Sequence, residues 1–210
     1  PAKLMQLLGD KTVIGHTYDN TVATGLFDDV VIITDSDIIF QEISSHGGKA
    51  VMSKREYESG TDRIAEAVAL SDADVIINVQ GDEPFIKKQP LEELINSFRD
   101  HSVRVASLMH VITDTTMIAD PNCVKVVVDQ NMNALYFSRS AIPFNRNNEQ
   151  SVTYYKHIGI YGYRKEALLK FTSLPASLLE YAEKLEQLRL LESGIAIRMI
   201  VTGPWSISID

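Results

Sequence analysis

The sequence predicts an α/β protein whose central sheet is mostly parallel and doubly wound, with an antiparallel hairpin inserted late in the chain. Three observations lead there. Between Val13 and Ile112, short β-branched runs alternate with amphipathic stretches, the order expected of strands joined by crossover helices. Beyond that stretch, Val124–Val128 and Ala134–Ser138 flank a polar turn at Asp129–Asn133, which reads as a hairpin. The apolar run Val75-Ile76-Ile77 passes into Asn78-Val79-Gln80-Gly81-Asp82-Glu83-Pro84, a polar cluster where an open α/β sheet binds its ligands.

Each element has a local reason. Val13, Ile14, Tyr18, Val22 and Ala23 suit a helix over 13–24, with Gly25 as its stop. Asp29–Asp35 is an apolar strand with polar ends, and 37–45 a short helix ended by Gly47-Gly48. Ala50–Met52 is a short strand. Ser59-Gly60-Thr61-Asp62 reads as an N-cap opening a helix to about Leu70. A strand at 75–79 follows. Leu91, Leu94, Ile95 and Phe98 then share one face of a helix over Pro90–Asp100. Val103–Ile112 is a strand, and Asn145–Ser151 a polar loop. His157–Tyr163 is a strand holding Gly159 and Gly162, residues that inside a strand often mark close approach of a ligand or backbone. Arg164–Phe171 reads as a helix and Leu178–Ser193 as one longer helix closed by Gly194. Ile195–Val201 and Ser206–Ile209 read as strands.

A chain of 210 residues suits one domain, 1–210, large enough to bury a core without staples. Its net charge of −8 argues against non-specific nucleic-acid binding but leaves room for a phosphorylated small molecule held by a few local cations. Cys123 is the only cysteine, so no intrachain disulfide forms, and a reducing cytoplasm is the expected compartment. No run reaches the roughly 18 apolar residues of a membrane span, so no membrane partner is expected. The chain opens on Pro1 without a leader pattern and closes on Asp210, and both ends read as trimmed or disordered.

Several side chains suggest chemistry. Asp82 and Glu83 offer hard oxygen ligands for a cation such as Mg²⁺, although a lone Gly-Asp-Glu is more often a solvated turn. Lys3 is either a surface lysine or a cation for triphosphate, where it would stabilise charge on leaving pyrophosphate. The Ser59 cap and Arg63 form a helix start able to take an anion or a base edge. Arg139 is either a surface ion-pair partner or a fork for a substrate carboxylate. His157, Gly159 and Tyr161 alternate onto one strand face, which suits a polyhydroxylated ligand if the face is not simply solvated. Glu186 and Gln187 fall in the middle of a helix apolar over much of its circumference, where polar residues are candidates to line a cavity.

As a set, Lys3, Ser59–Arg63, Val79–Pro84, Tyr136–Pro143, His157–Tyr163 and Leu185–Arg189 resemble the 3-deoxy-manno-octulosonate cytidylyltransferases, the CMP-Kdo synthetases, over essentially the whole chain. The resemblance implies a Rossmann-like nucleotidyltransferase with a mostly parallel or mixed central sheet and an inserted antiparallel region within 103–163, serving sugar binding and dimerisation. It implies a cytoplasmic homodimer that joins the sugar acid Kdo to CTP with Mg²⁺, giving CMP-Kdo and pyrophosphate for lipopolysaccharide. Asp82 and Asp210 match the metal carboxylates and Lys3 the signature lysine. Ser59, Arg63 and Gln80 match the nucleotide side. Gln80, Arg139, His157, Tyr161, Glu186 and Gln187 match sugar-acid positions. Ala2 stands where the family has Gly, and the spacing around 144–156 and 202–206 is short. A sialic-acid type of cytidylyltransferase and a non-catalytic nucleotide-binding protein on the same fold stay as alternatives.

Overall fold

Thr12 decides where the first helix begins. Its hydroxyl accepts from Gly15 N at 3.1 Å and donates to Glu42 Oε1 at 2.9 Å, capping one helix while tying it to the next. These contacts come from a computed structural model that describes residues 3–54, 57, 59–69, 71–147 and 152–203. The described residues divide into two compact units, one holding 3–74 together with 78–92, the other holding 75–77 and 93–203.

In the first unit, β1 (Leu7–Leu8) and β2 (Lys11–Thr12) pair as a small antiparallel hairpin that runs straight into α1 (Val13–Ala23). The sequence pattern did not show this hairpin, because two-residue strands carry no periodicity. Next come β3 (Ile32–Thr34), α2 (Asp37–Ser45) and β4 (Ala50–Met52), with β3 and β4 parallel across the α2 crossover. Ile14, Ile39 and Ile43 form the core here, with Leu4, Tyr18 and Ile32 packed on it. Ser59 caps α3 (Gly60–Val68) by accepting from Asp62 N.

The second unit is built on one sheet. The strands are β5 (Val75–Asn78), β6 (Val105–Val111), β7 (Lys125–Val128), β8 (Ala134–Ser138), β9 (Tyr155–Arg164) and β10 (Arg198–Thr202). They run in the order β10-β6-β9-β7-β8, with β5 also paired to β9. The sheet is mixed: β10 is parallel to β6, while β6–β9, β9–β7 and β7–β8 are antiparallel. The expected 124–138 hairpin is β7–β8. The helices are α4 (Lys88–Ser97), which belongs to this unit only from Glu93 on, the short α5 (Thr116–Ala119), α6 (Lys165–Ser173), α7 (Leu178–Glu183) and α8 (Leu188–Glu192). Pro90 sits in the first turn of α4, where a missing N–H breaks no helical bond. The strand expected at Ser206–Ile209 lies outside the described residues.

The expected single helix over 178–193 is two helices. Lys184 takes a left-handed conformation, φ 55°, and ends α7. Arg189 then reaches back to hold the Glu180 carboxylate through Nε at 2.8 Å and Nη2 at 2.5 Å, a pair with 12% and 15% of its side-chain surface exposed. In a straight helix residues nine apart are about 13.5 Å apart along the axis, so this fork requires the break. Periodicity alone reads through it because both halves are apolar.

Gly162 lies where β9 meets Phe98 of the same unit. A Cβ there would sit 2.5 Å from Phe98 Cε2 and 3.1 Å from Ile77 Cδ1. Gly162→Ala is expected to lower stability by about 1–3 kcal/mol, read as a lower urea midpoint at unchanged slope.

Candidate functional site

In the first unit, α1 holds both segments that carry Lys3 and Asp82. Ile14 N donates to Leu4 O and Val13 N to Gln6 O, which seats the turn containing Lys3. From the other direction, Thr17 Oγ1 donates to Gly81 O at 2.9 Å and Asn20 Nδ2 to Pro84 O at 2.6 Å, which seats the Gln80–Pro84 loop after β5. Gly81 packs closely there: a Cβ would meet Ile14 Cδ1 at 3.0 Å and Leu4 Cδ1 at 3.3 Å, so those side-chain ends would have to shift by a few tenths of an ångström. The outcome is that Lys3 Nζ and Asp82 Oδ2 stand 3.1 Å apart, about 40% exposed. Gln80 is exposed beside them in sequence, and Glu83 is buried.

Arg63 and Ser59 belong to the same unit. Arg63 Nη2 pairs with Asp35 Oδ2 at 2.7 Å, while its buried Nε has no hydrogen-bond partner. The Ser59 hydroxyl is engaged in its cap, bonded to Asp62 through both N and Oδ2. Asp82 offers one half-exposed carboxylate, in this structure paired with Lys3, of the kind that Mg²⁺ takes together with substrate phosphate oxygens and water. No group of three or more potential metal-ligating side chains exists among the described residues. Asp210, the second expected carboxylate, lies outside the described residues.

The second unit carries the other group of candidates. His157 and Tyr161 do share a face of β9; Tyr161 is buried there, while His157 and Gly159 keep part of their surface exposed. The His157 ring stands edge-on to Phe137 at 5.0 Å and 5.3 Å from Tyr161. Tyr161 is 4% exposed, and its hydroxyl has no hydrogen-bond partner. Burial, helped by Tyr163 and Glu186, pushes its phenol pKa up, so it stays a neutral donor. Burial also pushes the His157 imidazole down to about 3, so the ring is neutral near pH 7. Gln187 is 4% exposed with an unpartnered Nε2. Gln187 and Glu186 occupy the turn between α7 and α8, not a helix interior, which corrects their expected setting. Buried amide and hydroxyl groups are normally paired with protein, water or ligand, so Tyr161 OH and Gln187 Nε2 are both open to a further polar partner.

Arg139 is anchored by its own backbone surroundings. Its N donates to Glu183 Oε2 at 2.9 Å, its Nε to Glu183 O at 2.8 Å and its Nη1 to Pro121 O at 3.0 Å. Nη2 makes no hydrogen bond among the described residues. The end of the fork is therefore aimed and still able to accept a carboxylate.

Sequence reasoning missed the residues behind Arg139 and His157. Glu183 grips the end of β8, taking Ser138 Oγ at 2.5 Å as well as Arg139 N. Lys125 is fully buried, and its ammonium donates to Asp120 O, Cys123 O and Arg139 O. These acceptors match the three donors of an ammonium group. Desolvation nevertheless holds its pKa below the usual lysine range. A lysine inside Val124-Lys125-Val126 was the available signal. Ser107, 0% exposed, bonds His157 Nε2 at 3.0 Å and was hidden within the run Val105–Val111.

A family model described as cytidylyltransferase matches residues 1–197. The 3-deoxy-manno-octulosonate cytidylyltransferase of Flavobacterium johnsoniae is 58% identical across 100% of this chain and 87% of that protein. The chain belongs to the 3-deoxy-manno-octulosonate cytidylyltransferase family. The relative of the same name from Bacteroides thetaiotaomicron is 43% identical, covering 100% of this chain and 87% of that one. Among solved structures, CMP:2-keto-3-deoxy-manno-octonic acid synthetase complexed with CTP matches at TM-score 0.94 and 41% identity, over 100% of this chain and 87% of that one. The fold extends to 4-diphosphocytidyl-2C-methyl-D-erythritol synthase from Anaerococcus prevotii, at TM-score 0.64 and 14% identity.

Two outcomes test this cytidylyltransferase geometry. Tyr161→Phe removes an unpartnered buried hydroxyl, so thermal stability is expected to hold or rise while the sugar-acid KM increases about tenfold. The folded state holds His157 below its ordinary value of 6.5, so unfolding takes up a proton between about pH 3 and 6.5. The contribution of a neutral His157 is thus full above pH 6.5 and falls as pH drops towards 3. Denaturant titrations should show the pH dependence of stability flattened over that window in His157→Gln.

Proposed function

We propose that the protein is a Mg²⁺-dependent 3-deoxy-manno-octulosonate cytidylyltransferase that transfers CMP from CTP to the anomeric hydroxyl of Kdo and releases pyrophosphate. The observation that carries the sugar-acid half is the pair of buried, unpartnered polar atoms, Tyr161 OH and Gln187 Nε2, in the unit that also presents the free end of the Arg139 fork. Arg139 would hold the sugar carboxylate, while His157, Tyr161, Glu186 and Gln187 would read its hydroxyls.

The nucleotide half rests on the first unit. Arg63, with Ser59 and Gln80, would take the nucleotide. Lys3 would neutralise charge on the departing pyrophosphate, and its contact with Asp82 keeps the ammonium placed before substrate arrives. Mg²⁺, held by Asp82 and Asp210 with phosphate oxygens, would supply Lewis-acid polarisation of the α-phosphate. The nucleophilic hydroxyl attacks in line and its proton goes to solvent. His157, neutral near pH 7, binds and does not serve as the base.

We read residues 1–210 as one catalytic domain, working as a cytoplasmic homodimer that supplies lipopolysaccharide assembly. The single buried thiol of Cys123 agrees with a reducing compartment. Leu135 on the edge strand β8, with Leu178 and Tyr181 on α7, is exposed by 61% or more, which supports a self-association surface in the second unit.

The decisive assay is pyrophosphate release from CTP with Mg²⁺. Release is expected only with Kdo, neither with sialic acid nor with ATP as donor. Asp82→Ala should lower turnover about 10²–10³-fold. An Asp82→Ala protein with full turnover would remove the metal assignment.

A further inference from the structure

We propose that Ser107 is a positioning residue that locks His157 in the Nε2–H tautomer, leaving Nδ1 as a bare acceptor for a hydroxyl of the sugar acid. The identity of that ligand rests on the function proposed above, whereas the tautomer does not.

Register between β6 and β9 slips at one place: Ser107 pairs with Tyr161, but Leu108 pairs with Ile158. Gly159 and Ile160 therefore stand out of register as a bulge. The bulge turns two backbone carbonyls onto one hydroxyl. Ser107 Oγ lies 2.9 Å from Ile160 O, 3.2 Å from Ile158 O and 3.0 Å from His157 Nε2.

A hydroxyl has one proton and two lone pairs, and a carbonyl only accepts. If the Ser107 proton went to His157, two carbonyl oxygens would face hydroxyl lone pairs inside a fully buried site. The proton instead goes to the carbonyls, Ile160 O being nearer, and a Ser107 lone pair accepts from His157. Nε2 must then carry the ring hydrogen. In a neutral imidazole Nδ1 is left without one, and it has no partner among the described residues. Ring protonation would place a second N–H at Nδ1, and burial opposes that charge. His157 is thus set to take a hydrogen bond from a ligand hydroxyl and not to give one.

The test is ¹⁵N NMR of histidine-labelled full-length protein, combined with steady-state kinetics. The expected result for wild type is one protonated nitrogen at Nε2 and one bare nitrogen at Nδ1 for His157, unchanged between about pH 8 and 6. Ser107→Ala should populate the Nδ1–H tautomer and raise the sugar-acid KM about five- to tenfold, with kcat and the CTP KM little changed. Ser107→Thr, which keeps the hydroxyl, should restore the Nε2–H signal. If Thr does not fit, the wild-type spectrum still decides the tautomer. A wild-type ring protonated at Nδ1, or an unaltered tautomer in folded Ser107→Ala, overturns the proposal. The Nε2–H signal without Kdo-dependent turnover would overturn the functional reading and the ligand assignment, but not the role of Ser107 in the tautomer.

Discussion

Strand β9 must pair along both of its edges, and much of the second unit follows from that requirement. β6 runs antiparallel along one edge, while β7 and β5 occupy the other. A strand bonded on both edges has no freedom to slip, so its register determines which side chains face each other. The bulge opposite Ser107 is the one irregularity in the β6–β9 pairing, and it faces His157 and Tyr161. At the bulge, Ser107 Oγ lies within hydrogen-bond distance of the Ile158 and Ile160 carbonyls and of the His157 ring.

A second constraint acts at the end of β8. Lys125 and Glu183 approach Arg139 from different elements, one holding its carbonyl and the other its amide and Nε. Three side chains of high conformational entropy are thereby immobilised before any ligand binds. Preorganisation of this kind lowers what binding has to order later. Glu183 is also the last residue of α7, one position before the left-handed Lys184. The same carboxylate thus anchors Arg139 and the start of the turn that carries Glu186 and Gln187.

The Lys3–Asp82 pair follows a different logic. Lys3 and Asp82 are 79 positions apart and meet because α1 binds the backbone of both segments. Thr17 does this with one hydroxyl shared between Val13 O and Gly81 O. The pair is half exposed, so the ion pair itself contributes little to stability.

The sequence by itself determined the elements whose signal is local. α2 and β4 fall on the expected residues, Ser59 caps α3, and the 124–138 hairpin forms as patterned. It also placed His157 and Tyr161 on one strand face, because alternation needs only the strand. Asp82, Arg139 and Gln187 were legible as a set through family resemblance, not through spacing. What only the tertiary structure decided is whatever depends on a partner distant in the chain. The Arg189–Glu180 fork breaks a helix that periodicity joins, and the direction of β9 makes the sheet mixed. Lys125 and Ser107 read as ordinary interruptions of apolar strands until three carbonyls gather on the one, and two carbonyls and an imidazole on the other. Local pattern records which side of a strand a residue faces. It does not record which backbone oxygens a distant register shift will bring to that side.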